Sequence, residues 1–89
     1  MSKLKEYREK INQIDYEMIR LFEQRMNLAL KIGDYKEKHN LPIFDSFREQ
    51  EVLEKNISYL QNKEYASITK EFFQTIMDLS KRLQEKNAE

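Results

Sequence analysis

Positions 4, 7, 11, 14, 18, 21, 25, 28, 32 and 35 step alternately by three and four. They carry Leu4, Tyr7, Ile11, Ile14, Met18, Leu21, Arg25, Leu28, Ile32 and Tyr35. This spacing predicts one long amphipathic helix, about 4–39, with an a/d seam that is apolar at every step but one. Arg25 stands where a coiled coil would place leucine. A guanidinium cannot shed its charge, and burying it unpaired among apolar groups is costly. The seam therefore calls for an anion at Arg25, and little in the first helix is placed to supply one.

The first clear break is Asn40-Leu41-Pro42, because proline disfavours the helical conformation in the residue before it. Gly33, the one glycine, falls inside the first helix and reads as a point of close contact. A second helix is predicted over about 46–61, with Val52, Leu53, Ile57 and Leu60 as its apolar positions. Asn62-Lys63-Glu64 reads as a short polar turn. A third helix follows over about 65–86, with Tyr65, Ile68, Phe72, Ile76, Leu79 and Leu83 on one stripe. No strand-like alternation and no repeat interrupts this pattern, so the fold class is all-α: one long helix and two shorter ones.

Length turns this pattern into a constraint. The chain has 89 residues, which reads as a single domain, 1–89, with a modest core. A helix of the first segment's length runs roughly 50 Å, whereas a compact globule of this size is about 30 Å across. The first helix overhangs its own domain, and its seam needs a partner, most simply a second copy. Sixteen basic residues offset sixteen acidic ones, so no global field attracts nucleic acid or an anionic membrane. There is no cysteine and one histidine, His39, which argues against a disulfide framework, thiolate chemistry or a transition-metal site. No apolar run approaches a membrane span of about 20 residues and no signal-peptide core follows the N-terminus, so a cytoplasmic location is expected.

Several polar residues occupy places where a simple helical protein would not put them. Arg25 and Lys36 are eleven residues apart, within about 20° of one helix face, and two cations on one line suit a dianionic small molecule. A lysine near a helix end also commonly snorkels to solvent. Arg8 lies seventeen residues before Arg25, roughly 100° around and about 25 Å along the helix. It cannot serve the same site within one chain, and pattern alone reads it as a surface arginine. Asp45, Arg48 and Glu49 share a face at i, i+3 and i+4. Ser46-Phe47-Arg48-Glu49 also fits a capping box, with Glu49 reaching back to the Ser46 amide. On the third helix Phe73, Met77, Ser80 and Gln84 form a second stripe that turns from apolar to polar. Ser80 and Gln84 offer neutral hydrogen-bonding groups beside the core, although such residues are usually the solvated edge of a helix. There is no nucleophile set, phosphate loop or metal spacing, so chemistry here would be non-covalent and cofactor-free.

Together these residues resemble the all-helical, type II chorismate mutases, an intertwined-dimer family of the shikimate pathway. The match begins with Arg8-Glu9-Lys10-Ile11, Ile14-Asp15, Ile19, Leu21 and Arg25. It continues through Lys36, Leu41-Pro42-Ile43-Phe44-Asp45 and Arg48-Glu49, and ends at Ser80 and Gln84. The order and spacing over Tyr7 to Gln84 carry the resemblance, since no single piece is specific. It implies an intertwined helical homodimer that rearranges chorismate to prephenate without cofactor or metal, in the biosynthesis of phenylalanine and tyrosine. By the same resemblance Arg25 and a partner-chain Arg8 hold carboxylates, and Arg48 and Ser80 support the polar wall. Asp45 and Glu49 position the ring hydroxyl, while Lys36 and Gln84 donate to the ether oxygen. Two rivals stand beside it. One is a lyase of the same fold that removes pyruvate from isochorismate. The other is a non-catalytic dimerisation module in which Arg25 sets register.

Overall fold

A computed structural model describes residues 2–88, all-helical among those residues. Helix α1 spans Lys3–Lys38, α2 Ser46–Ser58 and α3 Ala66–Ala88, with a single 3₁₀ turn at Lys63–Tyr65 before α3. The predicted long helix ends within one residue of expectation at each end. The second helix stops three residues early, where the Ser58 hydroxyl donates to the Lys55 carbonyl and the Lys63 ammonium donates to the Ile57 and Ser58 carbonyls. These groups satisfy the orphan acceptors of a helix end. The expected polar turn is present as well: the Asn62 side chain accepts from the Glu64 amide at 3.0 Å and starts the 3₁₀ turn.

The break after α1 is a Schellman arrangement. Asn40 takes φ 55°, the left-handed region that asparagine tolerates better than most residues. Its amide donates to the Glu37 carbonyl at 3.3 Å, and the Leu41 amide donates to the Lys36 carbonyl at 2.8 Å. Pro42 then prevents the helix from resuming.

At the start of α2 the structure corrects the expected capping box. Asp45, not Ser46, is the N-cap, and its carboxylate accepts from the Arg48 amide at 3.0 Å. A carboxylate one residue earlier satisfies an orphan amide and also complements the positive helix terminus. Glu49 is thereby shifted out of reach of the cap and turns toward α3 instead.

Helix α3 forms the centre of the chain. It runs parallel to the C-terminal half of α1, as the ascending pairs Arg25–Ser80, Ala29–Gln84 and Asp34–Asn87 show. Helix α2 folds back onto α3 through Val52, Leu53 and Met77, with Phe73 packed on them. The buried apolar residues are Met26, Ala29, Val52, Leu53 and Met77, and Ser80 and Gln84 are buried beside them. The stripe of Phe73, Met77, Ser80 and Gln84, whose polar end would usually be a solvated edge, is the interior face of α3. The more apolar stripe is turned outward: Tyr65, Ile68 and Phe72 are exposed, while Ile76, Leu79 and Leu83 are only partly covered.

The same inversion holds on α1. Every apolar seam residue from Leu4 to Tyr35 is exposed, Ile14 at 57% and Leu21 at 60%. The molecule measures 57 × 26 × 15 Å, far from a globule, and its long dimension is that of α1. Along α1 and α3 lies an apolar groove of about 680 Å³, lined by Met18, Leu21, Phe22, Phe72, Ile76 and Leu79 among others. Because the intrachain core is so small, Met77→Ala is expected to lower the unfolding free energy by about 2–4 kcal/mol in urea titrations. A change under about 0.5 kcal/mol, the range of surface substitutions, would place the core elsewhere.

Candidate functional site

Four segments converge around the middle of α3. Helix α1 contributes Arg25 and Lys36, the connecting segment Ile43 to Asp45, α2 Arg48 and Glu49, and α3 Ser80, Lys81 and Gln84. Arg25 is only half-buried, and one guanidinium nitrogen donates to the Ser80 hydroxyl at 3.2 Å. Ser80 can accept because its own proton goes to the Ile76 carbonyl, one turn earlier, at 2.8 Å. No carboxylate pairs with Arg25 among the described residues. Burial, and then the nearby Arg48 cation, push the Arg25 pKa down from its ordinary value. Arginine stays protonated nonetheless, so this corner carries a charge that burial and a like neighbour both disfavour. It has room in its energetics for an anion.

Gln84 lies one turn beyond Ser80 on the same face. Its amide nitrogen donates to the Ala29 carbonyl at 2.7 Å. A carbonyl partner admits only the N–H side of the amide, so the orientation is fixed, and the second N–H remains available as a neutral donor. The approach depends on Gly33. A Cβ placed there would lie 2.9 Å from the Gln84 Cγ and 3.2 Å from its Cβ. Lys36 is partly buried and donates one of its three protons to the Ile43 carbonyl at 2.8 Å. That bond holds the ammonium over the connecting segment, with two donors left, rather than letting it snorkel away.

On the opposite wall Arg48 is paired at its exposed end with Glu51 at 2.6 Å. Asp45 spends one carboxylate oxygen on the α2 cap, and the other has no partner among the described residues. Both oxygens of Glu49 are engaged by α3: Oε1 accepts from Gln74 at 3.1 Å, and Oε2 meets the Lys81 ammonium at 2.7 Å. Sequence reasoning missed Gln74 and Lys81. They stand outside the apolar stripes, and only the packing of α2 on α3 brings them to Glu49. The hydrogen bond from Lys81 to Glu49 is the main cause of a raised Lys81 pKa. Lys81 also lies 4.8 Å from the centre of the Phe44 ring.

The structure thus brings together Arg25, Lys36, Asp45, Arg48, Glu49, Ser80 and Gln84. It leaves Arg8 apart, exposed on the overhanging end of α1 with no ion pair or side-chain hydrogen bond among the described residues. No group of three or more histidines or acids is arranged to hold a metal ion among the described residues, and no described helix is long and apolar enough to cross a membrane. What the cluster can do is grip a small polyanion with fixed cations and present neutral and cationic donors to a second point on it.

Comparison with known proteins gives this geometry a context. The sequence matches the chorismate mutase type II family over residues 7–85. It is 49% identical over 55 residues to a bifunctional chorismate mutase/prephenate dehydratase of Aquifex aeolicus, covering 62% of this chain and 15% of that protein. It is 39% identical over 54 residues to the T-protein of Haemophilus influenzae, covering 61% of this chain and 14% of that protein. A bifunctional chorismate mutase/prephenate dehydratase of Buchnera aphidicola subsp. Schizaphis graminum is 38% identical over 82 residues, covering 90% of this chain and 21% of that protein. The match therefore spans only 15% of the length of the first of these relatives.

Gly33→Ala tests the α1–α3 junction. In an open helix this change is worth up to about 1 kcal/mol in stability. Here the Gln84 Cβ and Cγ must move, so a lower melting temperature is expected, with loss of the Gln84–Ala29 bond. A higher one would show that α3 does not depend on this close approach.

Proposed function

We propose that this chain, which belongs to the chorismate mutase type II family, catalyses the [3,3] rearrangement of chorismate to prephenate as a homodimer with two shared sites. The observation that carries the reading is Arg25: a half-buried cation that, among the described residues, bonds a neutral hydroxyl and no carboxylate and feels the charge of a second cation, Arg48, within a cluster of hydrogen-bonding side chains.

The chemistry follows from the substrate. Chorismate is a dianion with an ether bridge and a ring hydroxyl. Arg25, with Arg8 of the second copy, holds its carboxylates, and Arg48 and Ser80 complete that polar wall. Asp45 and Glu49 position the ring hydroxyl, whose single proton is donated to one of the two carboxylates at a time. Lys36 and Gln84 donate to the ether oxygen. The C–O bond breaks ahead of C–C formation, so negative charge builds on that oxygen, and donors fixed there favour the transition state over the ground state. The clamp also holds the enolpyruvyl side chain folded over the ring, a proximity effect. No covalent intermediate and no cofactor take part.

A second copy supplies what one chain lacks. The exposed α1 seam, the outward stripe of α3 and the apolar groove between them are the surfaces it would cover, and dimer pairing would carry the overhanging end of α1, with Arg8, across to the other chain's cluster. Prephenate formed here suits a pathway toward phenylalanine and tyrosine, in keeping with relatives that join a mutase to a prephenate dehydratase. A purely structural module gives no reason to bury Ser80 and Gln84 as hydrogen-bonding neighbours of Arg25.

Incubation of the purified chain with chorismate is expected to yield prephenate, and incubation with isochorismate no pyruvate. Lys36→Ala should then lower kcat by about 10²–10³, the usual effect of removing one donor to a developing oxyanion, while the chain still folds. A kcat within a few-fold of the parent would remove Lys36 from the ether oxygen.

A further inference from the structure

The Glu49–Lys81 pair differs from the other ion pairs of this chain. The pairs Lys3–Glu6, Lys10–Glu6 and Arg48–Glu51 are local and exposed, the kind that contributes little to stability. Glu49 and Lys81 join two different helices at 2.7 Å, with their side chains only 16% and 24% exposed. Gln74 fixes the second carboxylate oxygen at 3.1 Å, so each oxygen of Glu49 has one orienting partner from α3. A carboxylate has about four acceptor positions, which leaves room for a further donor. Lys81 also packs its ammonium against the Phe44 ring, next to Asp45, and contacts Asp78 at 3.4 Å.

We propose that Lys81 is a positioning residue: it holds the Glu49 carboxylate against α3 as a fixed acceptor for the ring hydroxyl of the substrate. The inference rests on the mutase reading above. A side chain that aims a substrate-binding group acts through that group, so its effect appears only with substrates the group touches. The hydroxyl contact is present in both ground and transition states, so its loss falls mainly on KM.

The experiment compares chorismate with an analogue that keeps the ether bridge and both carboxylates but lacks the ring hydroxyl. Lys81→Met preserves the apolar stem and removes the charge. With chorismate it is expected to lower kcat/KM about 10-fold, mostly through KM, whereas the analogue should react within about 2-fold of the parent rate. Lys81→Arg should restore most of the loss. An equal loss on both substrates, or no loss on chorismate, overturns the positioning role. If Lys81→Met does not fold, Lys81→Gln decides the same comparison. A parent chain that rearranges neither compound overturns the mutase reading and this inference together, an outcome visible before any variant is made.

Discussion

Arg25 is a permanent charge placed at the line where α1 meets α3, and the rest of the molecule is arranged around that placement. Its local partner, Ser80, is neutral and is itself anchored to the Ile76 carbonyl. Its nearest charged influence is repulsive. A guanidinium in such surroundings loses hydration without gaining an opposite charge, so an incoming carboxylate recovers more here than it would at the surface. The same packing that half-buries Arg25 also fixes the distance between the two helices. Gly33 leaves out a Cβ that would crowd Gln84, and Gln84 reaches the Ala29 carbonyl. On the proposed reading, anion grip and donor placement would be two results of one close helix contact.

A single chain meets only part of what its sequence demands. Its interior has few buried apolar side chains, and the larger apolar surface faces outward along α1 and α3. Small cores give little stability on their own, and association with a second copy would supply the missing burial. Such coupling would make folding, dimerisation and site completion one event rather than three. It would also explain why so long a helix is retained in so short a chain, since the end that projects beyond the intrachain core is the end that carries Arg8.

Much of this was legible in the sequence because the signals are local. The 3–4 spacing of Leu4 to Tyr35 gives α1, and Asn40-Leu41-Pro42 gives its end. Arg25 stands out as a charge in an apolar row, and Ser80 and Gln84 as polar residues beside one. Three points escaped. Asp45 displaced Ser46 as the cap because neighbouring residues compete for the same orphan amides, and charge decided between them. Which stripe of α3 faces inward stayed open, since periodicity finds stripes but does not say which stripe meets the same chain and which meets another. Gln74 and Lys81 gave no signal at all: their role comes from α2 lying on α3, a long-range contact that no spacing within either helix encodes.

The direct measurement is of complementation between chains. Arg8→Ala and Arg25→Ala proteins, each expected to be nearly inactive alone, are unfolded together in equal amounts and refolded, so that about half of the proposed dimers would be mixed. In a mixed dimer one site has lost both arginines, while the other combines an intact Arg8 with an intact Arg25. Chorismate mutase activity near one quarter of the parent is then expected, given independent sites. No recovery after subunit exchange has been verified would contradict a site built from two chains around Arg25.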